Sequence, residues 1–225
     1  ARCNSHVVPL GVVLVGPTVD VFMGHLHNDL QSEASTPAYM LVTPNLCNDG
    51  HDAICHGTNV EGGKTGGLVG ADLWLKHYMP MIFASPAYKN GSLLVVITFD
   101  EAATSDARAC ANADQSTCGS PIGPNVTNPG FSELLAHFGV QTPPTMNYQY
   151  AGGGQVGAVA FNRRFIKPGS VNSTVSYNHY SALRTYEDLL GITTGGGDGQ
   201  GHLGYASQAI SFGADVFNSS NASGK

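Results

Sequence analysis

The sequence predicts an α/β fold, layered around a single core. Three observations carry that expectation. Residues 92–99 (SLLVVITF) are continuously apolar and lie between Asn90-Gly91 and Asp100-Glu101, the pattern of a central strand buried on both faces. Residues 178–190 (NHYSALRTYEDLL) have helical spacing, with Leu183, Tyr186, Leu189 and Leu190 on one apolar stripe and Gly191 as the C-terminal stop. Around these two segments, short apolar runs alternate with helical ones.

The remaining elements follow in chain order. Residues 7–15 are apolar and β-branched, broken by Pro9 and Gly11, and read as one or two short buried strands. Residues 22–33 read as a short helix carrying His25, His27 and Asp29, and residues 39–43 as a short strand stopped by Pro44. A Gly-rich loop then runs to Gly70, too long for a mere connector. Residues 71–83 (ADLWLKHYMPMIF) suit a helix with Leu73, Trp74, His77, Tyr78 and Met81 on one face, which Pro80 kinks or ends. Residues 102–130 read as a polar insertion, 131–138 as a helix, and 155–161 (QVGAVAF) as a strand opened by a run of three glycines. The expected organisation is one domain over residues 1–210 and a flexible Ser/Asn/Gly-rich tail over 211–225.

Composition narrows the partners. The chain has 225 residues, 10 of them basic and 16 acidic, so its net charge of −6 offers nothing to a nucleic acid or an acidic membrane surface. No apolar run is long enough to suggest stable membrane insertion. Asn-X-Ser/Thr sequons begin at Asn90, Asn125, Asn172, Asn218 and Asn221, and the chain opens at Ala1 rather than Met, as a processed segment would. With the cysteines below, these features predict a secreted, extracellular protein.

Of the five cysteines, Cys47 and Cys55 flank one polar segment and Cys110 and Cys118 another, and each pair could close a short loop as a disulfide. A Cys-rich zinc site is the alternative, but neither pair has CxxC spacing, and His51 and His56 accompany only one of them. Cys3 is left over and suggests a partner elsewhere.

Three clusters could carry chemistry. Asp100-Glu101 follow directly on the apolar run, where the end of a strand in an open α/β sheet faces a ligand crevice, and two carboxylates there suit a hard divalent cation. An acidic turn or helix cap is the plainer reading. Residues 45–52 (NLCNDGHD) gather two amides, two carboxylates and an imidazole, so His51 could act as a general acid oriented by Asp49 or Asp52, with Asn48 beside it. An Asx-rich turn pinned by a disulfide is the alternative. Asn178-His179 open the best helix, where an anion such as phosphate is favoured, although a lone His is often structural. His77 reads as a packing residue, and His6, His25, His27, His137 and His202 have no distinguishing context. Gly62-Gly63-Lys64-Thr65 lacks the leading glycine of a phosphate loop, and no GxSxG nucleophile elbow is present.

Taken together, several segments resemble the phosphoesterases that include acid phosphatases and phosphatidylcholine-type phospholipases C. The residues that carry the resemblance are 43–52 (TPNLCNDGHD), 70–75 (GADLWL), 85–88 (SPAY), 97–101 (ITFDE), 153–159 (GGQVGAV), 166–169 (IKPG), 177–181 (YNHYS), 183–188 (LRTYED) and 203–206 (LGYA). Their order and spacing run over most of the chain.

The resemblance implies an alkaline-phosphatase-like fold: a three-layer α/β/α sandwich with a mostly parallel central sheet. It implies that Asp100 and Glu101 hold one divalent metal ion of unspecified identity. It places His51, His179 and Asn48 at the catalytic site, acting on a phosphate-ester substrate by double displacement. The family's early Glu-Asn metal ligands and its Ser or Thr nucleophile lie upstream of the matched segments, so this chain would be the C-terminal part of the domain. The N-terminal half would then be a separate chain linked through Cys3. The rival expectation is a non-catalytic secreted module, binding or structural, in which the acidic clusters at most hold a stabilising cation.

Overall fold

The computed structural model describes residues 6–100, 156–171, 175 and 177–218. Glu101, Cys3, Cys110, Cys118 and the expected helix at 131–138 lie outside the described residues. The chain divides into two compact units, Ala1–Leu94 and Val95–Lys225.

The expected three-layer sandwich with a mostly parallel sheet is overturned. Among the described residues the strands form two separate two-stranded antiparallel sheets, with few helices around them. The decisive element is the run at 92–99. Only β3 (Val95–Thr98) is strand, paired antiparallel with β4 (Ala158–Phe161), so that Val95 faces Phe161 and Thr98 faces Ala158. The backbone N–H groups of Ser92 and Leu93 are spent on the carbonyl of Ala87, 2.9 and 3.0 Å away, and cannot join a ladder. β3 is half-buried rather than buried on both faces, and Phe99 beyond it is 41% exposed. The parallel direction is an implication of the family resemblance; the apolar run by itself predicts burial on both faces, which β3 also does not show.

In the first unit, β1 (Val12–Leu14) pairs antiparallel with β2 (Val21–Met23). Val13 and Phe22 alternate inward, whereas Val12, Leu14, Val21 and Met23 face solvent, so the run at 7–15 supplies one strand and not a buried one. Residues 39–43 form no strand; Pro37 and Pro44 bracket them without N–H donors, and Leu41 is exposed.

Helices do most of the packing in this unit. α1 (His25–Asp29) buries Leu26. α2 (Gly67–Ala84) buries Gly67, Gly70, Trp74, His77, Tyr78 and Ile82; of the expected face, Trp74, His77 and Tyr78 are buried, whereas Leu73 and Met81 are half-buried. Trp74 stacks on Tyr78 at 4.4 Å, and Phe22 meets Tyr78 edge-on at 5.3 Å. Pro80 stays within α2 and is exposed. The helix ends at Ser85, whose extended backbone breaks it and whose Oγ accepts from Tyr88 N, 3.3 Å away, to cap α3 (Pro86–Asn90). Gly91 closes α3 at φ +85°, a left-handed conformation that glycine adopts without a Cβ penalty.

In the second unit, α4 (His179–Leu189) matches the expected helix, with Asn178 as N-cap accepting from Ser181 N at 3.0 Å. Its expected apolar stripe is corrected. The buried residues are Ser181, Thr185 and Glu187, whereas Leu189 and Leu190 are exposed. The cause lies in what covers the helix. Irregular chain at 203–213 brings backbone groups that need partners. Phe212 N donates to Thr185 Oγ1 at 2.8 Å, Leu203 N to Glu187 Oε1 at 3.0 Å, and Arg184 Nη1 to the carbonyls of Ala206 and Ser207. A 3₁₀ turn, Gly204–Gln208, buries Ala206. Residues 211–218 of the expected tail are fastened by a bridge between Ile166 and Phe217 and by Asn218 N donating to Phe165 O at 2.7 Å. Among the described residues no helix is long and apolar enough to cross a membrane.

Candidate functional site

The loop before α2 is built on a disulfide and two asparagines. Cys47 and Cys55 are bonded, with their Cα atoms 5.1 Å apart. Asn59 Oδ1 accepts from the backbone N–H groups of Glu61 and Gly63, at 3.1 and 2.9 Å, and so closes a tight turn. Lys64 Nζ donates to Gly57 O at 2.7 Å, which ties the Gly62-Gly63-Lys64 segment to its own loop. Asn48 is buried: its Nδ2 donates to Asn45 Oδ1 at 2.6 Å and its Oδ1 accepts from Val60 N at 3.0 Å. That geometry gives Asn48 a positioning task within the loop.

His51 stands at the loop's surface, its side chain 76% exposed. Its N–H donates to Asp49 Oδ1 at 2.9 Å, and its Nδ1 lies 2.8 Å from Asp52 Oδ1. Both acidic neighbours therefore orient this histidine, one through the backbone and one through the ring.

In the second unit, β3 and α4 bring two expected site residues together. Asp100 follows β3 by two residues, and His179 is the first residue of α4. Although 79 positions apart, they meet, with His179 Nε2 2.9 Å from the backbone carbonyl of Asp100. A carbonyl only accepts, so Nε2 carries a proton there, and Nδ1 is the nitrogen left to meet a ligand. Both residues are exposed. Asn178 caps the same helix end, its Oδ1 taking the N–H of Ser181, and the His179 imidazole stands at this terminus, where an anion is favoured. His51 and Asn48 belong to the first unit, and Asp100 and His179 to the second.

Two buried histidines carry a different arrangement that single-residue context did not reveal. His77 Nδ1 bonds to Asp20 Oδ2, and its Nε2 lies 3.0 Å from Glu61 Oε1. His202 Nδ1 lies 2.5 Å from Asp198 Oδ2 and its Nε2 2.9 Å from Asp188 Oδ1, with Ser211 Oγ donating to the other oxygen of Asp188. A neutral imidazole has one N–H; both carboxylates can accept together only from the imidazolium. Burial disfavours charge on His77, but Asp20 and Glu61 outweigh it and hold the ring's pKa above its usual value. Asp188 and Asp198 raise that of His202, against the nearby charge of Arg184. In return, the hydrogen bond from His202 lowers Asp198 to about 2. Asp198 and His202 are four residues apart in a Gly-rich segment, a spacing visible in the sequence, whereas Asp20 and His77 are separated by 57 residues and carry no such signal.

Among the described residues, no three His, Cys, Asp or Glu side chains gather where they could hold a metal ion. His77 and His202 have both ring nitrogens committed to carboxylates, so neither has one to give. Asp100 supplies one carboxylate; Glu101 lies outside the described residues. The described residues by themselves do not complete a coordination sphere.

Comparison with protein-family models, with curated proteins and with solved structures finds no match to this chain.

Proposed function

We propose that this protein is a secreted, metal-dependent phosphate-ester hydrolase, with Asp100 and His179 as the candidate site residues of the second unit and His51 as a candidate general acid in the first. The observation that carries the reading is the meeting of His179 with Asp100 at the capped N-terminus of α4. Phosphate favours such a helix end, because unpaired N–H groups and the helix dipole both oppose its charge. A protonated His179 adds a donor for a phosphoryl oxygen. Within the first unit His51 is the candidate general acid, its ring fixed through Nδ1 by Asp52. Asn48 keeps the His51 loop in shape from within.

The Asp100-Glu101 pair would hold the divalent metal, which would supply Lewis-acid polarisation of the phosphate ester. Likewise, the nucleophile is expected on a further segment, joined through Cys3. The resemblance of the sequence motifs to acid phosphatases and phospholipases C supports the reaction class. The sheet topology does not, since the parallel sheet expected with it is not built.

The test is turnover of a generic aryl phosphate by protein carrying that upstream segment, with and without added divalent metal. Metal-dependent release of the aryl alcohol, lost in Asp100→Ala, supports the assignment. Turnover that is indifferent to both metal and Asp100→Ala overturns it.

A further inference from the structure

We infer that Asn90 is an N-glycan acceptor and that Asn218, in an equally good sequon, is not. Of the five sequons, those at Asn90 and Asn218 have their asparagines among the described residues, and the two side chains are used in opposite ways. Asn90 is the last residue of α3, and the left-handed Gly91 turns the chain immediately after it. Its Oδ1 accepts from Ser92 N at 2.9 Å, which directs the carbonyl toward its own backbone. No described residue meets Nδ2, and the neighbouring Ser92 is exposed. Among the described residues, the hydrogen bond of this side chain runs through oxygen, so it survives substitution on nitrogen.

Asn218 has the reverse geometry. Its Nδ2 donates to Arg164 O at 3.2 Å and to Ile166 O at 3.3 Å, beside the bridge that pairs Ile166 with Phe217. A primary amide has two N–H groups, and Asn218 uses both. A glycosylated amide keeps one. A glycan there forfeits one of these bonds and leaves a carbonyl to find water, next to a contact that closes the end of the second unit.

The step itself is a group transfer. Asn90 Nδ2 attacks the anomeric carbon of a lipid-pyrophosphate-linked oligosaccharide. The N–C bond forms, the C–O bond to pyrophosphate breaks, the lipid pyrophosphate leaves, and one amide proton is released. The inference is independent of phosphate-ester hydrolysis and shares with it only the expectation of secretion.

The experiment is glycopeptide mapping of the full chain secreted from a eukaryotic host behind a cleavable signal leader. Enzymatic deglycosylation in heavy-oxygen water converts each occupied Asn to labelled Asp. The expected result is label at Asn90 and none at Asn218, with Ser92→Ala and Asn90→Gln each removing one glycan's mass and Asn218→Gln removing none. The two Asn90-sequon variants check each other, because Ser92→Ala keeps the asparagine. Secreted protein with Asn90 unlabelled, or with Asn218 labelled to a similar extent, overturns the inference.

Discussion

His179 reaches Asp100 through the main chain: the ring's Nε2 lies 2.9 Å from the carbonyl oxygen, leaving the carboxylate out of the contact. Backbone and side chain of Asp100 thus have separable tasks. Asp100→Ala should remove the carboxylate, and with it metal binding, while the His179 ring keeps its place. His179→Ala should leave metal content intact and weaken phosphate binding. Metal analysis and side-chain NMR of His179 on the two variants check this division; a shifted His179 ring in Asp100→Ala would contradict it.

His51 should matter to rate more than to stability, because its side chain is 76% exposed. His51→Ala should lower turnover by about 10²- to 10⁴-fold, the usual range for a lost general acid, with little change in melting temperature. Asp52→Asn should give a smaller loss by weakening the orientation of the ring. Steady-state kinetics beside thermal melts separate the two effects.

The carboxylate–histidine clusters give stability a dome in pH. His77 and His202 are raised above the ordinary 6.5, so their contribution is complete below pH 6.5 and is lost as pH rises through the folded values. Asp198 is lowered from 3.8 to about 2, so its contribution is present above 3.8 and is lost as pH falls toward 2. Asp20, Glu61 and Asp188 are lowered too and steepen the acid limb. Unfolding free energy from denaturant titrations should therefore be greatest between pH 4.5 and 6.5. Replacing both His77 and His202 by Gln should flatten the alkaline limb.

Gly70 lets α2 run close against the His51 loop. A Cβ there would sit 2.1 Å from the carbonyl oxygen of Cys47, so Gly70→Ala must push the helix and the disulfide loop apart. The expected loss is about 1–3 kcal/mol, the range for overpacking a close contact, read by denaturant unfolding. Opening the disulfide by Cys47→Ser with Cys55→Ser should cost about 2–3 kcal/mol in the same assay, mainly by freeing the short loop in the unfolded chain.

Local structure was legible where the signal is local. Asn178 ahead of an apolar-periodic run and Gly191 after it gave α4 to within a residue, because caps and stops act within one turn. The helix at 71–83 was likewise found, and it begins earlier, at Gly67. What failed was long-range. Nothing in Val95 to Thr98 records that its partner runs antiparallel, and nothing in Leu189 records that the chain covering α4 needs hydrogen bonds more than apolar contact. From the sequence alone His77 reads as a packing residue, because its partners Asp20 and Glu61 are remote along the chain. The meeting of Asp100 and His179 is of the same long-range kind, and the sequence offered it only through resemblance.

The most direct measurement is a titration of the full chain with inorganic phosphate, followed by the imidazole resonances of His179, with and without a divalent metal. A phosphate-ester site at the start of α4 should give a saturable shift of His179 that depends on the metal and disappears in Asp100→Ala. A His179 signal that stays fixed at high phosphate and metal, or that shifts equally in Asp100→Ala, would contradict the site and with it the proposed chemistry.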